Sequence, residues 1–189
     1  MPNIAVIAMA SSTGGVEVLE QIIPRIPLNA PPVLLVQHMP PGLTKSFAMR
    51  LNKKYEISIK EAQSGDYLQH GQILIAPGGK HMQVVSKMNK LAVECFEGTK
   101  LHGVMPSADV LFESVANVLR QNAIGVVLTG MGADGARGLL MMRNNGAKTI
   151  GQNKETSLVY GMPKVAKSLG AVEYELPLGQ IVGKVVSLL

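Results

Sequence analysis

The chain has one cysteine, no tryptophan, three phenylalanines and four tyrosines in 189 residues. A lone thiol cannot close an intrachain disulfide. Cys95 lies in an apolar segment and reads as a buried structural thiol in a reducing compartment. Scarce aromatic rings leave few platforms for stacking bases, and no block of Lys and Arg stands out. Nucleic-acid binding is therefore not expected, although 18 Lys and Arg against 13 Asp and Glu leave a net charge of +5. No apolar run reaches the roughly 18 residues of a membrane span, and no charged start precedes a cleavable apolar stretch, so a cytoplasmic protein without membrane insertion is expected. Linkers, repeats and low-complexity stretches are missing too, and one domain over residues 1–189 is expected. His70, His81 and His102 do not stand at metal-ligand intervals, which leaves them packing or surface roles and implies no metal.

What the chain does have is a high share of apolar residues, 47% against 16% charged, as in a parallel sheet covered on both faces. Ile4 to Met9 is a short, uninterrupted, β-branched run that stops at Ser11, Ser12, Thr13, Gly14 and Gly15. Val16, Leu19 and Ile23 then recur at helical spacing until Pro24. Pro32 to Gln37 is a second buried-strand candidate, continuously apolar from Val33 to Val36 and ending at His38, and Leu43, Phe47 and Leu51 mark the helix after it. Ile57–Ile59, Ile73–Ala76, Met82–Val85 and Leu91–Cys95 are short runs separated by turn residues, read as hairpins or a meander. The alternating rhythm then resumes. Ser107 is a plausible N-cap for a helix with Ala108, Leu111, Val115, Val118 and Leu119 on its apolar face. Ile124 to Leu128 is a strand, Thr129 to Gly135 a glycine-rich turn, Ala136 to Arg143 a helix and Ala147 to Ile150 a strand, with final helices over Met162–Leu169 and Gly179–Leu189. The expected class is α/β: a doubly wound, mostly parallel sheet flanked by helices on both faces, with an antiparallel excursion in the middle of the chain.

Ser12, His38 and Asp134 fall at the carboxyl ends of three predicted strands, the edge where open α/β sheets bind ligands. A serine nucleophile needs an imidazole to take its proton, and the imidazole needs a carboxylate to fix its tautomer. Those residue types are the ones supplied. Each also has a bland alternative: a cap, a satisfied core histidine, a helix N-terminal aspartate. Gly130, Gly132 and Gly135 form a GxGxxG pattern with Glu155 downstream, so a Rossmann-type dinucleotide site is a second reading. Asp134 inside that turn opposes it, since a carboxylate would crowd a pyrophosphate. A catalytically inactive interaction module is the non-enzyme alternative.

Three motifs carry a resemblance. Ser11-Ser12-Thr13-Gly14-Gly15, Gln37-His38-Met39-Pro40-Pro41-Gly42 and Thr129-Gly130-Met131-Gly132-Ala133-Asp134-Gly135 each follow a predicted strand. With Ile75 to Gly79, Pro106 to Phe112 and Tyr160 to Lys164, they resemble the catalytic domain of the chemotaxis protein-glutamate methylesterases, the CheB family. The resemblance implies a serine hydrolase that removes methyl esters from glutamates on the cytoplasmic helices of chemoreceptors, and in many members deamidates receptor glutamines. Ser12 would be the nucleophile, His38 the general base and Asp134 its partner. The backbone N–H groups of Thr13 and Met131 would be oxyanion donors, and no cofactor is needed. Ser11 stands where the family usually has alanine, and Ala10 where it has glycine. The family's phosphorelay receiver domain is not expected within these 189 residues, which leaves two readings open: a part of a longer protein, or a free-standing relative with a separate regulatory receiver protein as a partner. Lys45 and Arg50, on the helix after His38, are solvated charges that would favour an acidic receptor surface.

Overall fold

The computed structural model describes residues 3–189. Nine strands and six α-helices follow in the order β1 (Val6–Ser11), α1 (Gly15–Ile22), β2 (Val33–Gln37), α2 (Leu43–Lys54), β3 (Ser58–Glu61), β4 (Gln72–Ile75), β5 (His81–Lys87), β6 (Lys90–Phe96), α3 (Ala108–Leu119), β7 (Ala123–Val127), α4 (Ala136–Asn144), β8 (Lys148–Gln152), α5 (Met162–Ser168), β9 (Tyr174–Leu176) and α6 (Leu178–Ser187). Seven strands form one sheet in the order β3-β4-β2-β1-β7-β8-β9, with every pairing parallel. β5 and β6 make a separate antiparallel hairpin.

Side-chain alternation sorts the core into two layers. Ile7 and Met9 of β1, with Val33 and Leu35 of β2, pack against the apolar faces of α1, α2 and α6. Val6, Ala8 and Ala10, with Leu34 and Val36, pack against α3, α4, α5 and the hairpin. Both faces of the central strands are covered, which explains why they read as continuous apolar runs.

The middle of the chain corrects the expected excursion. Only β5 and β6 are antiparallel, whereas the runs expected in the meander around Ile57–Ile59 and Ile73–Ala76 become β3 and β4, parallel members of the main sheet. Short apolar runs carry no signal of strand direction, and the turn residues between them belong to a long return loop, 62–71, rather than a tight hairpin turn. β9 was not expected: its three residues are only partly buried and too few to show a period. The sheet order reverses at β1. From there the chain first builds outward through β2, then returns to place β7 on the other side, so the carboxyl ends of β2, β1 and β7 lie side by side at the switch point.

Candidate active site

The register of β1 on β2 decides which serine faces what. Ser11 pairs with Gln37, and both continue the layer that faces α1. The Ser11 hydroxyl, fully buried, donates to Gln37 Oε1 at 2.6 Å. Ser12 and His38 come one residue later on neighbouring strand ends, and a side-chain period of two turns them toward the α3 and α4 layer, where Asp134 lies. Gln37 Nε2 meanwhile donates to the carbonyls of Ser12 at 3.1 Å and His38 at 3.2 Å, clamping both strand ends. Gly130 lets β7's turn close on the same point: a Cβ there would stand 2.8 Å from Ser12 Cβ and press on Met162. Ser12 is half-buried, and its hydroxyl makes no hydrogen bond to His38 among the described residues.

His38 and Asp134 are joined. His38 Nε2 lies 2.7 Å from Asp134 Oδ2, with the carboxylate 2% exposed. Asp134 is held on every side: the Ser107 hydroxyl donates to Oδ1 at 2.6 Å, Asp109 N–H to Oδ1 at 3.1 Å, and Ala108 N–H to Oδ2 at 2.6 Å. Burial pushes the Asp134 pKa up, but hydrogen bonds from His38, Ser107, Ala108 and Asp109 outweigh it and hold the carboxyl below its ordinary value. The ionised form is the one this cradle accepts.

Two capping expectations change. At α1 the N-cap position is Gly14, with φ at +79°, and no side chain caps the helix, so Ser11, Ser12 and Thr13 are not caps. Ser107 does occupy the N-cap of α3, but its hydroxyl bonds Asp134, and the Asp134 carboxylate caps the helix from across the fold. Sequence reading missed the parts played by Gln37 and Ser107. A polar residue ending a buried strand was the available signal for Gln37, and Ser107 carried none beyond its capping propensity.

The N–H groups of Thr13 and Met131 donate to no protein acceptor among the described residues, and the Met131 side chain is 67% exposed beside the site. Thr129 Oγ1 donates to the Thr13 carbonyl at 3.0 Å, tying the β1 and β7 turns together. A cleft of about 590 Å³ opens on His38, with Met39, Pro40, Pro41, Val104 and Pro106 for walls and Lys100 at its side.

The glycine-rich turn is not shaped for a dinucleotide. Asp134 turns inward, and a Cβ on Gly135 would lie 3.1 Å from Ala108 Cβ, so that glycine serves the packing of α4's start against α3. A ring nitrogen of His102 and oxygens of Asp109 and Asp134 lie within 4.8 Å of one another, which is close enough for a metal. Their oxygens, however, are engaged: Asp109 accepts from His102 at 2.9 Å and from Gly138 N–H at 2.7 Å, and Asp134 accepts as above. A cation would have to displace backbone N–H donors already in place.

The family profile described as CheB methylesterase matches residues 7–185. A protein-glutamate methylesterase/protein-glutamine glutaminase of Bdellovibrio bacteriovorus is 51% identical over 177 residues, 94% of this chain and 50% of that protein. One from Agrobacterium fabrum is 50% identical over 186 residues, 97% of this chain and 52% of that protein. The crystal structure of the Thermotoga maritima CheB methylesterase catalytic domain superimposes with a TM-score of 0.95 at 37% identity, covering 99% of this chain and 100% of that one. The chain spans about half the length of the curated relatives it matches. A profile that takes in all but the two ends, and a match across the whole of a solved catalytic domain, leave one conclusion: the chain belongs to the CheB methylesterase family.

Proposed function

We propose that this protein hydrolyses methyl esters of glutamate side chains on the cytoplasmic helices of chemoreceptors, and deamidates glutamines presented in the same way. The observation that carries the reading is the His38–Asp134 pair at 2.7 Å, with His38 just past β2 beside the end of β1 that carries Ser12 and Asp134 in the turn between β7 and α4, in a member of a methylesterase family. With Nε2 engaged by an ionised carboxylate, the His38 nitrogen left to act as base is Nδ1. Ser12 Oγ attacks the ester carbonyl as its proton passes to His38, and the N–H groups of Thr13 and Met131 receive the oxyanion. Collapse expels methanol, which takes the proton from His38. Water then attacks the acyl-enzyme by the same route and returns a free carboxylate and Ser12. On a glutamine the leaving group is ammonia.

No helix among the described residues is long and apolar enough to cross a membrane, and a cytoplasmic site of action under the control of a receiver protein completes the reading. The test is methanol release from methylated receptor, beside Ser12→Ala and His38→Ala variants. Release should vanish in both with thermal stability retained. No release above background from either the wild type or Ser12→Ala would leave an interaction module with a dead site, and release that survives Ser12→Ala would overturn the proposed reaction.

A further inference from the structure

The Asp134 cradle extends beyond the residues that touch it. Ser107 is fully buried, and it uses two donors at once: its hydroxyl on Asp134 Oδ1 at 2.6 Å, and its backbone N–H on His81 Nδ1 at 3.1 Å. His81, 2% exposed, sits at the first residue of β5, and its other nitrogen lies 2.9 Å from the Thr99 carbonyl. Those two contacts fix its tautomer. Nδ1 must be bare to accept from Ser107, so the proton is on Nε2 and is donated to Thr99. The ring is further held against Phe96, with centroids 5.7 Å apart.

We infer that Ser107 and His81 are positioning residues for the reaction: His81 locks the Ser107 backbone, and the Ser107 hydroxyl sets the orientation and ionisation of Asp134. The inference rests on the proposed role of Asp134 as the partner of His38. It also gives the β5–β6 hairpin a part in the site, because the hairpin supplies His81 and, through it, fixes the start of α3. The ionisable groups that face Asp134 are His38, His102 and Asp109, and the Asp109 carboxylate is itself hydrogen-bonded to His102 and Gly138 N–H. Ser107 is the uncharged hydroxyl of the set. A hydrogen bond to an ionised group is among the stronger ones in a folded protein, so its removal should register directly in the titration of Asp134.

The experiment compares Ser107→Ala with Ser107→Thr, and His81→Phe with His81→Asn, whose amide oxygen stands near the position of Nδ1. Two quantities are read: kcat and KM for methanol release, and the Asp134 carboxyl titration by 13C NMR. In Ser107→Ala, kcat should fall about tenfold with KM unchanged, and Asp134 should titrate at a higher pH by about one unit. Ser107→Thr should restore both. His81→Phe should move both in the same direction, and His81→Asn should recover most of the loss. A folded Ser107→Ala in which Asp134 titrates as in the wild type would overturn the inference, as would a lower Tm with kcat and titration unmoved. Should Ser107→Ala fail to fold, the His81 pair decides by the same readouts. Hydrolysis that survives Ser12→Ala would instead overturn the proposed reaction, and the Asp134 titration would still report on Ser107.

Discussion

Ser11 and Gln37 pair across β1 and β2, and that register turns the adjacent serines to opposite sides of the sheet. Ser11→Ala removes the donor to a buried Gln37 Oε1, which should cost about 1–3 kcal/mol of stability, read as a lower Tm, while methanol release persists. Gln37→Leu removes the clamp on the Ser12 and His38 carbonyls, so turnover should fall while the chain still folds. If Ser11→Ala were the inactive variant, the assignment of roles by register would be wrong. Asp134→Asn is a harsher change than tautomer loss alone suggests. Whichever way the amide turns, its NH2 opposes a donor, either Ala108 N–H at the Oδ2 position or Ser107 and Asp109 N–H at the Oδ1 position, so stability should fall together with turnover.

Asp134 also predicts a pH dependence. Its carboxyl titrates below the ordinary 3.8 when folded, so the unfolded chain binds a proton first as pH falls. The stability this cradle contributes is fully present above about pH 4 and is lost as pH drops through the folded value. Acid denaturation monitored by circular dichroism should lose part of its steepness in that window in Asp134→Asn. A variant as steep as the wild type below pH 4 would show that the carboxylate contributes nothing there.

At the scale of elements, the proposed site is a meeting of two strand ends, the turn between β7 and α4, and the start of α3, and its legibility in the sequence follows that division. The proposed triad stood out by local pattern, Ser12 and His38 as polar residues just past buried strands and Asp134 as the carboxylate closing the glycine-rich turn between β7 and α4. The direction of β3 and β4, the cradle at the start of α3, and the tie from β5 to Ser107 depend on approaches between segments far apart in the chain, and no local period encodes them. Glycines mark the closest of those approaches. Gly130→Ala would drive a methyl into Ser12 and Met162, so hydrolysis should collapse with only a modest loss of Tm. Gly138→Ala would press on Phe112 and on the Asp109 backbone, where α3 and α4 pack, and there stability should fall most. Reversal of that ranking would place the critical contact at the helix interface rather than at the strand ends.

For the whole molecule, the question is where a net charge of +5 would act on the proposed receptor substrate. Of the two expected cations, Lys45 is exposed and makes no salt bridge among the described residues, whereas Arg50 converges with Lys54 on Glu20 and its guanidinium also lies over the Phe47 ring. Two of α2's charges are thus partly cancelled. Lys100 is exposed at the cleft that opens on His38, and it makes no salt bridge among the described residues. Attraction between exposed charges is screened beyond about 8 Å at physiological ionic strength, so a cation at the cleft acts on a docking helix more strongly than one on a distant face. Lys100→Glu should therefore lower kcat/KM on methylated receptor about three- to tenfold at low salt and flatten its salt dependence, while a small neutral methyl ester is hydrolysed as before. Arg50→Glu should do less at the same salt. If both variants lost the same factor, or the small ester suffered as much as the receptor, the charge at the cleft would not be steering the substrate, and recognition would have to come from the apolar walls formed by Met39, Pro40, Pro41 and Val104.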